Sequence, residues 1–162
     1  MSLQFNADEI FAVAIKIEEN GIAFYRRARE LQPAGPDADL LESLARMEEG
    51  HKRIFEELRR TVPEEFKAEK SYDPFDEVAL YLGAMADAHG GEGSPSAADK
   101  LTGKESLNEI IDIALGLEEK SILYYVGLRD IVPERLGRDK IDFIISEEKK
   151  HVVQLLKVKE SA

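Results

Sequence analysis

An internal duplication constrains this 162-residue chain more than any other feature of it. Shifted by 100 positions, residues 10–60 fall on 110–160. Ile10, Ala14, Glu18, Glu19, Ile22, Tyr25, Arg29, Pro33, Asp39, Glu48 and His51 then recur as Ile110, Ala114, Glu118, Glu119, Ile122, Tyr125, Arg129, Pro133, Asp139, Glu148 and His151. A repeat kept for packing alone would retain apolar classes. This one retains Glu and His at matched places, so the chain must build two similar halves that bring the same polar groups to equivalent positions.

Each half reads as two helices joined by a proline-containing turn. Apolar residues follow helical spacing from Asn6 to Leu31, with Asn6 and Glu9 as a capping pair, and Gln32-Pro33-Ala34-Gly35-Pro36 breaks the chain. A second helix is expected from Pro36 to about Arg60, with Pro36 in its first turn and Asp37 and Asp39 near the positive end of the dipole. In the second half, Thr102 with Glu105 is expected to open a helix reaching about Ile131. Pro133 marks the turn, and a last helix runs to about Lys159. The linking segment, 61–103, carries one more helical pattern over about 73–89, with Asp73 as N-cap and Pro74 in the first turn, followed by the Gly- and Ser-rich stretch Gly90–Ser96. The expectation is all-α: a single domain over 1–162, a four-helix bundle of two hairpins (10–60 and 110–160) with one long crossover containing a short extra helix.

The core seams of these helices carry the chemistry. Steps of three and four along the second helix give Leu41, Leu44, Glu48, His51, Phe55 and Leu58, and along the fourth Ile141, Ile144, Glu148, His151, Leu155 and Val158. The first gives Phe11, Ala14, Glu18, Gly21 and Tyr25, and the third Ile111, Ala114, Glu118, Ser121, Tyr125 and Leu128. Four glutamates and two histidines are thus directed into an apolar interior. The adjacent Glu19 and Glu49 fall among charged residues. Glu119 shares a side with Leu115, Ile122 and Val126, but the repeat pairs Glu118 with Glu18.

Four buried carboxylates repel one another and each loses hydration worth several kcal/mol, so something must neutralise them. Two divalent cations carry the required four charges, and two imidazoles complete a nitrogen and oxygen donor set. Each Glu-x-x-His places two ligands on adjacent turns of one face. Two such pairs opposite two single glutamates describe a dinuclear carboxylate site, for which iron or manganese fits the ligand hardness better than zinc or copper. A surface network of Glu and His with Lys and Arg is the competing reading. It is disfavoured by the apolar seams on which all six residues lie. His89, outside the pattern, reads as a partner of a helix C-terminus.

Composition narrows the setting. With no cysteine there is no disulfide, thiolate metal site or cysteine nucleophile, and 33 acidic against 22 basic residues give a net charge of −11, which disfavours nucleic acid. No apolar run is long enough for a membrane span and the N-terminus does not read as a signal peptide, so a cytoplasmic protein is expected.

The segments Ile17–Tyr25, Met47–His51, Leu117–Tyr125 and Glu147–His151 resemble the four helix motifs of the rubrerythrin branch of the ferritin-like superfamily. The resemblance spans nearly the whole chain and weakens over 61–103. It implies a ferritin-like fold and a di-iron centre, with Mn or Zn as substitutes. Glu48 and Glu148 would bridge the metals, Glu18 with His51 would complete one coordination sphere, and Glu118 with His151 the other. Tyr25 and Tyr125, seven residues after Glu18 and Glu118, are placed to hydrogen-bond a ligand carboxylate.

Two departures matter. The chain lacks the cysteines of a rubredoxin-like iron site, and it has Ser121 and His151 where rubrerythrins carry Glu. The symmetric set of four Glu and two His looks more like a bacterioferritin or ferroxidase-type centre. The resemblance therefore implies a non-haem di-iron oxidoreductase reacting with dioxygen or hydrogen peroxide, with a ferroxidase or peroxidase-like activity. Its electrons would come from Fe(II) or from an external donor, rubredoxin-like or a flavoprotein. The alternative is an iron-binding or storage-associated module without turnover. Extra apolar residues such as Val13, Ile17, Ile113 and Val126 suggest a homodimer or cover from the crossover.

Overall fold

The structure is a computed structural model that describes residues 7–64, 80, 81, 84 and 97–161. Four long helices dominate it: α1 (Ala7–Glu30), α2 (Pro36–Thr61), α3 (Leu107–Ile131) and α4 (Arg138–Ser161). The described residues contain no strand. Each helix carries acidic residues in its first turn and basic ones in its last, as Asp37 and Asp39 against Arg59 and Arg60 in α2, in accord with the helix dipole. α1 packs along α2 and α3 along α4, giving two antiparallel hairpins, and the hairpins meet through α1 on α3 and α2 on α4. This is the expected four-helix bundle.

One boundary differs from the sequence expectation. Thr102 does pair with Glu105, its amide and its hydroxyl each donating to the Glu105 carboxylate at 2.8 Å, but the Thr102 hydroxyl accepts from the Lys104 amide and not from that of Glu105, and the helix does not start there. α3 begins four residues later on a capping box of Ser106 and Glu109, in which the Ser106 side chain accepts from the Glu109 amide and Glu109 accepts from the Ser106 amide. The chain offers Thr-x-x-Glu and Ser-x-x-Glu in tandem, and the box directly before the apolar run Leu107, Ile110, Ile111 opens the helix. The expected Asn6 cap, the loop Gly90–Ser96, His89 and most of the 73–89 helix lie outside the described residues. Leu80, Tyr81 and Ala84 are helical, and a helical turn at Ala97–Lys100 leads to buried Leu101.

The turn between α3 and α4 depends on glycine. Glu134–Leu136 form a 3-10 turn that ends on Gly137 at φ 106°, a left-handed conformation costly for any residue with a Cβ. A Cβ there would also run into the Cδ2 methyl of Leu58 on α2.

The core has two apolar layers. One is built on Phe11, Phe55, Tyr124, Leu128 and Ile144, the other on Phe24, Leu41, Leu44, Ile111 and Leu155. Burying each such side chain is worth roughly 1.5–3 kcal/mol. Between the layers lies a band of charged side chains.

Candidate metal centre

The helical period delivers Glu18, Glu48, His51, Glu118, Glu148 and His151 to that band, and all six are buried. Glu118, and not Glu119, turns inward; Glu119 is exposed. The six form two overlapping groups. Glu18, Glu48, His51 and Glu148 bring ligand-type atoms within 4.8 Å of one another, and so do Glu48, Glu118, Glu148 and His151. Glu48 and Glu148 belong to both.

The contacts repeat across the two halves. His51 Nδ1 lies 3.2 Å from Glu48, 3.2 Å from Glu148 and 3.7 Å from Glu18. His151 Nδ1 lies 3.0 Å from Glu148, 3.2 Å from Glu48 and 3.4 Å from Glu118. The two imidazoles are nearly parallel, 18° apart, with centroids separated by 5.5 Å.

Tyr25 and Tyr125 join the cluster in a crossed arrangement. Tyr25 on α1 donates its hydroxyl proton to Glu118 on α3, and Tyr125 on α3 donates to Glu18 on α1. Each phenol serves the carboxylate of the opposite hairpin. Helical spacing puts a tyrosine on the right face but does not say which helix its hydroxyl reaches. The rings are held by packing: Tyr125 lies against Phe55 at 5.0 Å and Tyr124 at 6.0 Å, and Tyr25 against Phe24 at 5.5 Å. Burial and the neighbouring carboxylates push both phenols well above their ordinary range, so they remain protonated donors.

With protons as the only counterions, the cluster shares them unevenly. Burial opposes charge on the imidazoles, yet the surrounding carboxylates prevail, raising His51 strongly and pushing His151 up to about 12. Burial, with the charges of Glu118 and Glu18, pushes Glu148 up to about 8, and burial with Glu48 raises Glu18 well above the carboxylate range. Burial acts upward on Glu118 too, but its contacts with His151 and Glu148 outweigh it and hold that group low. Equivalent carboxylates are thus driven apart, as happens when like charges crowd one site.

Protons do not satisfy the cluster completely. Glu148 Oε2 and both ring nitrogens of His151 are buried without a hydrogen-bond partner, although His151 Nδ1 and Glu148 Oε2 approach to 3.0 Å. Orphaned lone pairs of carboxylate and imidazole, converging from several helices, are what a cation would satisfy. The donor set fits a pair of divalent ions in type, number and charge.

A small cavity opens beside the cluster between α1 and α3. It measures ≈ 10 Å³ for the centre of a water-sized sphere, and Gly21 and Ser121 line it together with Glu18, Glu48, Glu118 and Tyr25. That is room for about one water molecule. Gly21 and Ser121 are repeat equivalents, each three residues beyond an inward glutamate, and Ser121 turns its hydroxyl to the Leu117 carbonyl at 2.9 Å. Small residues at matched seam positions were the sequence signal for this opening.

No helix among the described residues is long and apolar enough to cross a membrane. No protein-family model matches the chain, and no curated protein does. Among solved structures, a protein from Thermotoga maritima described as a ferritin-like diiron-carboxylate protein aligns with a TM-score of 0.72 and 24% identity, over 99% of this chain and 98% of that one. A likeness of that kind bears on architecture, and with the four-helix bundle described above it establishes that this chain has a ferritin-like fold.

Proposed function

We propose that the buried cluster holds two iron ions and that the protein is a non-haem di-iron oxidoreductase acting on dioxygen or hydrogen peroxide. The observation that carries this reading is the pair of overlapping four-residue ligand groups, buried and sharing Glu48 and Glu148. Glu18 and His51 would complete the ligands of one ion and Glu118 and His151 those of the other. The Thermotoga maritima protein, a diiron-carboxylate protein by description, supports the choice of iron.

Bound iron would supply the electrons that reduce the oxidant. The chain's own residues do the rest. Tyr25 and Tyr125 orient Glu118 and Glu18 by hydrogen bonds that stay protonated at working pH. The two apolar layers exclude bulk water from either side of the charged band. The Gly21 and Ser121 cavity admits a molecule the size of water, which suits a diatomic or peroxide oxidant and excludes bulky organic substrates. Because the chain has no cysteine, a thiolate-based electron relay is absent from it, and electrons come from Fe(II) as substrate or from another protein.

Loading the protein anaerobically and then adding repeated substoichiometric pulses of Fe(II) in air tests the reading. About two ions per chain and rapid oxidation of every pulse are expected, with both lost in Glu18→Ala/Glu118→Ala. Oxidation that stops once the sites are filled would instead identify a storage module, and failure to bind iron would overturn the assignment altogether.

A further inference from the structure

The two hairpins match inside the bundle and differ on its outside. On the first, the outer groove between α1 and α2 is lined by charge: Glu19, Arg26, Glu49, Lys52, Arg53 and Glu56, with Ile22 and Ala23 between them. These charges satisfy one another, Lys52 with Glu19 at 3.3 Å and Arg26 with Glu49. The repeat places a corresponding groove between α3 and α4, where the equivalent positions hold Ile122, Leu123, Val126, Val152, Val153 and Leu156. None of these six is buried, and Leu123, Val153 and Leu156 are 48%, 50% and 42% exposed. Packing against the core does not require Val126, Val152, Val153 and Leu156 to be apolar, because the first hairpin builds the same core with Arg26, Lys52, Arg53 and Glu56 at those positions.

The last two groove positions are Glu119 and Lys149, both exposed and neither ion-paired among the described residues. They are of opposite sign on one face, and they lie on different helices. A two-fold axis in the plane of the groove can set each against its opposite in a second copy, the self-complementarity that an isologous contact needs. The local charge of the groove is also zero. Two chains that each carry −11 repel over most of their surfaces and meet at least electrostatic cost where the local charge cancels. Among the described residues of the crossover, Tyr81 donates to the Leu123 carbonyl, and the Leu123 side chain stays exposed.

We infer that the groove between α3 and α4 is the interface of a homodimer, with an apolar centre formed by Leu123, Val153 and Leu156 and a Glu119–Lys149 pair exchanged between the copies. This holds whatever reaction the metal centre performs.

Sedimentation equilibrium on the full chain, metal-free and iron-loaded, tests it. The expected mass is twice 18.2 kDa. Val153→Arg/Leu156→Glu places at these positions the residues the first hairpin carries at 53 and 56, and should yield a helical monomer by circular dichroism. Lys149→Glu should weaken the dimer at least tenfold by setting like charges together, and Glu119→Lys/Lys149→Glu should restore it. A wild-type monomer at 100-micromolar concentration (about 10⁻⁴ M, weaker than stable dimers) overturns the inference. So does a dimer that survives Val153→Arg/Leu156→Glu, which would place the interface elsewhere. Recovery failing in the charge-swapped protein removes the proposed pairing.

Discussion

Filling the cluster with divalent cations should expel about four protons per pair of ions, because protons and metals are alternative counterions for the same carboxylates. At pH 7 the metal-free fold keeps His51 and His151 as imidazolium, since both are raised far above neutrality. Glu148, at about 8, is roughly nine-tenths protonated there, and Glu18 is raised as well. Four protons shared among four carboxylates and two imidazoles make the metal-free cluster neutral. With two cations bound, four carboxylates face four metal charges and the imidazoles are neutral, again a neutral cluster.

Calorimetric titration with Mn(II), which does not oxidise in air at neutral pH on this timescale, in buffers of different ionisation enthalpy gives the proton count directly. About two per ion are expected at pH 7, and apparent affinity should climb by about two decades per ion for each pH unit near neutrality. The metal-free protein should show the opposite trend. Above about pH 4.5 the unfolded chain releases carboxyl protons that Glu18 and Glu148 retain in the fold, so stability falls as pH rises, up to about 8 for Glu148. The histidine contribution is complete below about pH 6.5 and is lost as pH climbs toward the folded values, about 12 for His151. Release of fewer than about one proton per ion, or a metal-free protein more stable at pH 9 than at pH 6, would refute the charge balance.

Two further outcomes follow from the packing. Tyr125→Phe keeps the ring against Phe55 and Tyr124 but removes the donor to Glu18. It should cost about 1–3 kcal/mol in urea unfolding. Tyr25→Phe removes a donor from Glu118, which is held low where Glu18 is raised, and should cost more within that range, because a charged acceptor gains more from its donor; a larger loss in Tyr125→Phe would contradict that uneven sharing of protons. Gly137→Ala forces a Cβ into a left-handed residue and onto Leu58, so a loss of about 2–4 kcal/mol is expected. Adding Leu58→Ala should relieve the contact but not the backbone strain, which a thermal double-mutant cycle separates.

Much of this arrangement was legible in the sequence because it depends on period. Glu48 and His51 sit among Leu41, Leu44 and Phe55 at helical intervals, and a residue on such a seam is buried whatever the details of packing. The repeat decided between Glu118 and Glu119 where periodicity was ambiguous. What period does not encode is which helix a long side chain reaches, so the Tyr25–Glu118 and Tyr125–Glu18 crossing emerged only in three dimensions. Nor does a local capping pattern rank itself against another: Thr102 with Glu105 and Ser106 with Glu109 are chemically alike, and burial of Ile110 and Ile111 selects the second.

The crossed phenols also bear on how such a site comes into being. Either hairpin alone holds one single glutamate, one Glu-x-x-His and a tyrosine whose acceptor belongs to the other half. A chain of half this length could complete the same centre only as a symmetric pair, each copy lending its hydroxyl to its twin. Joining the copies by a crossover turns a concentration-dependent assembly into an intramolecular one, and frees one outer face to diverge from the other without disturbing the shared interior.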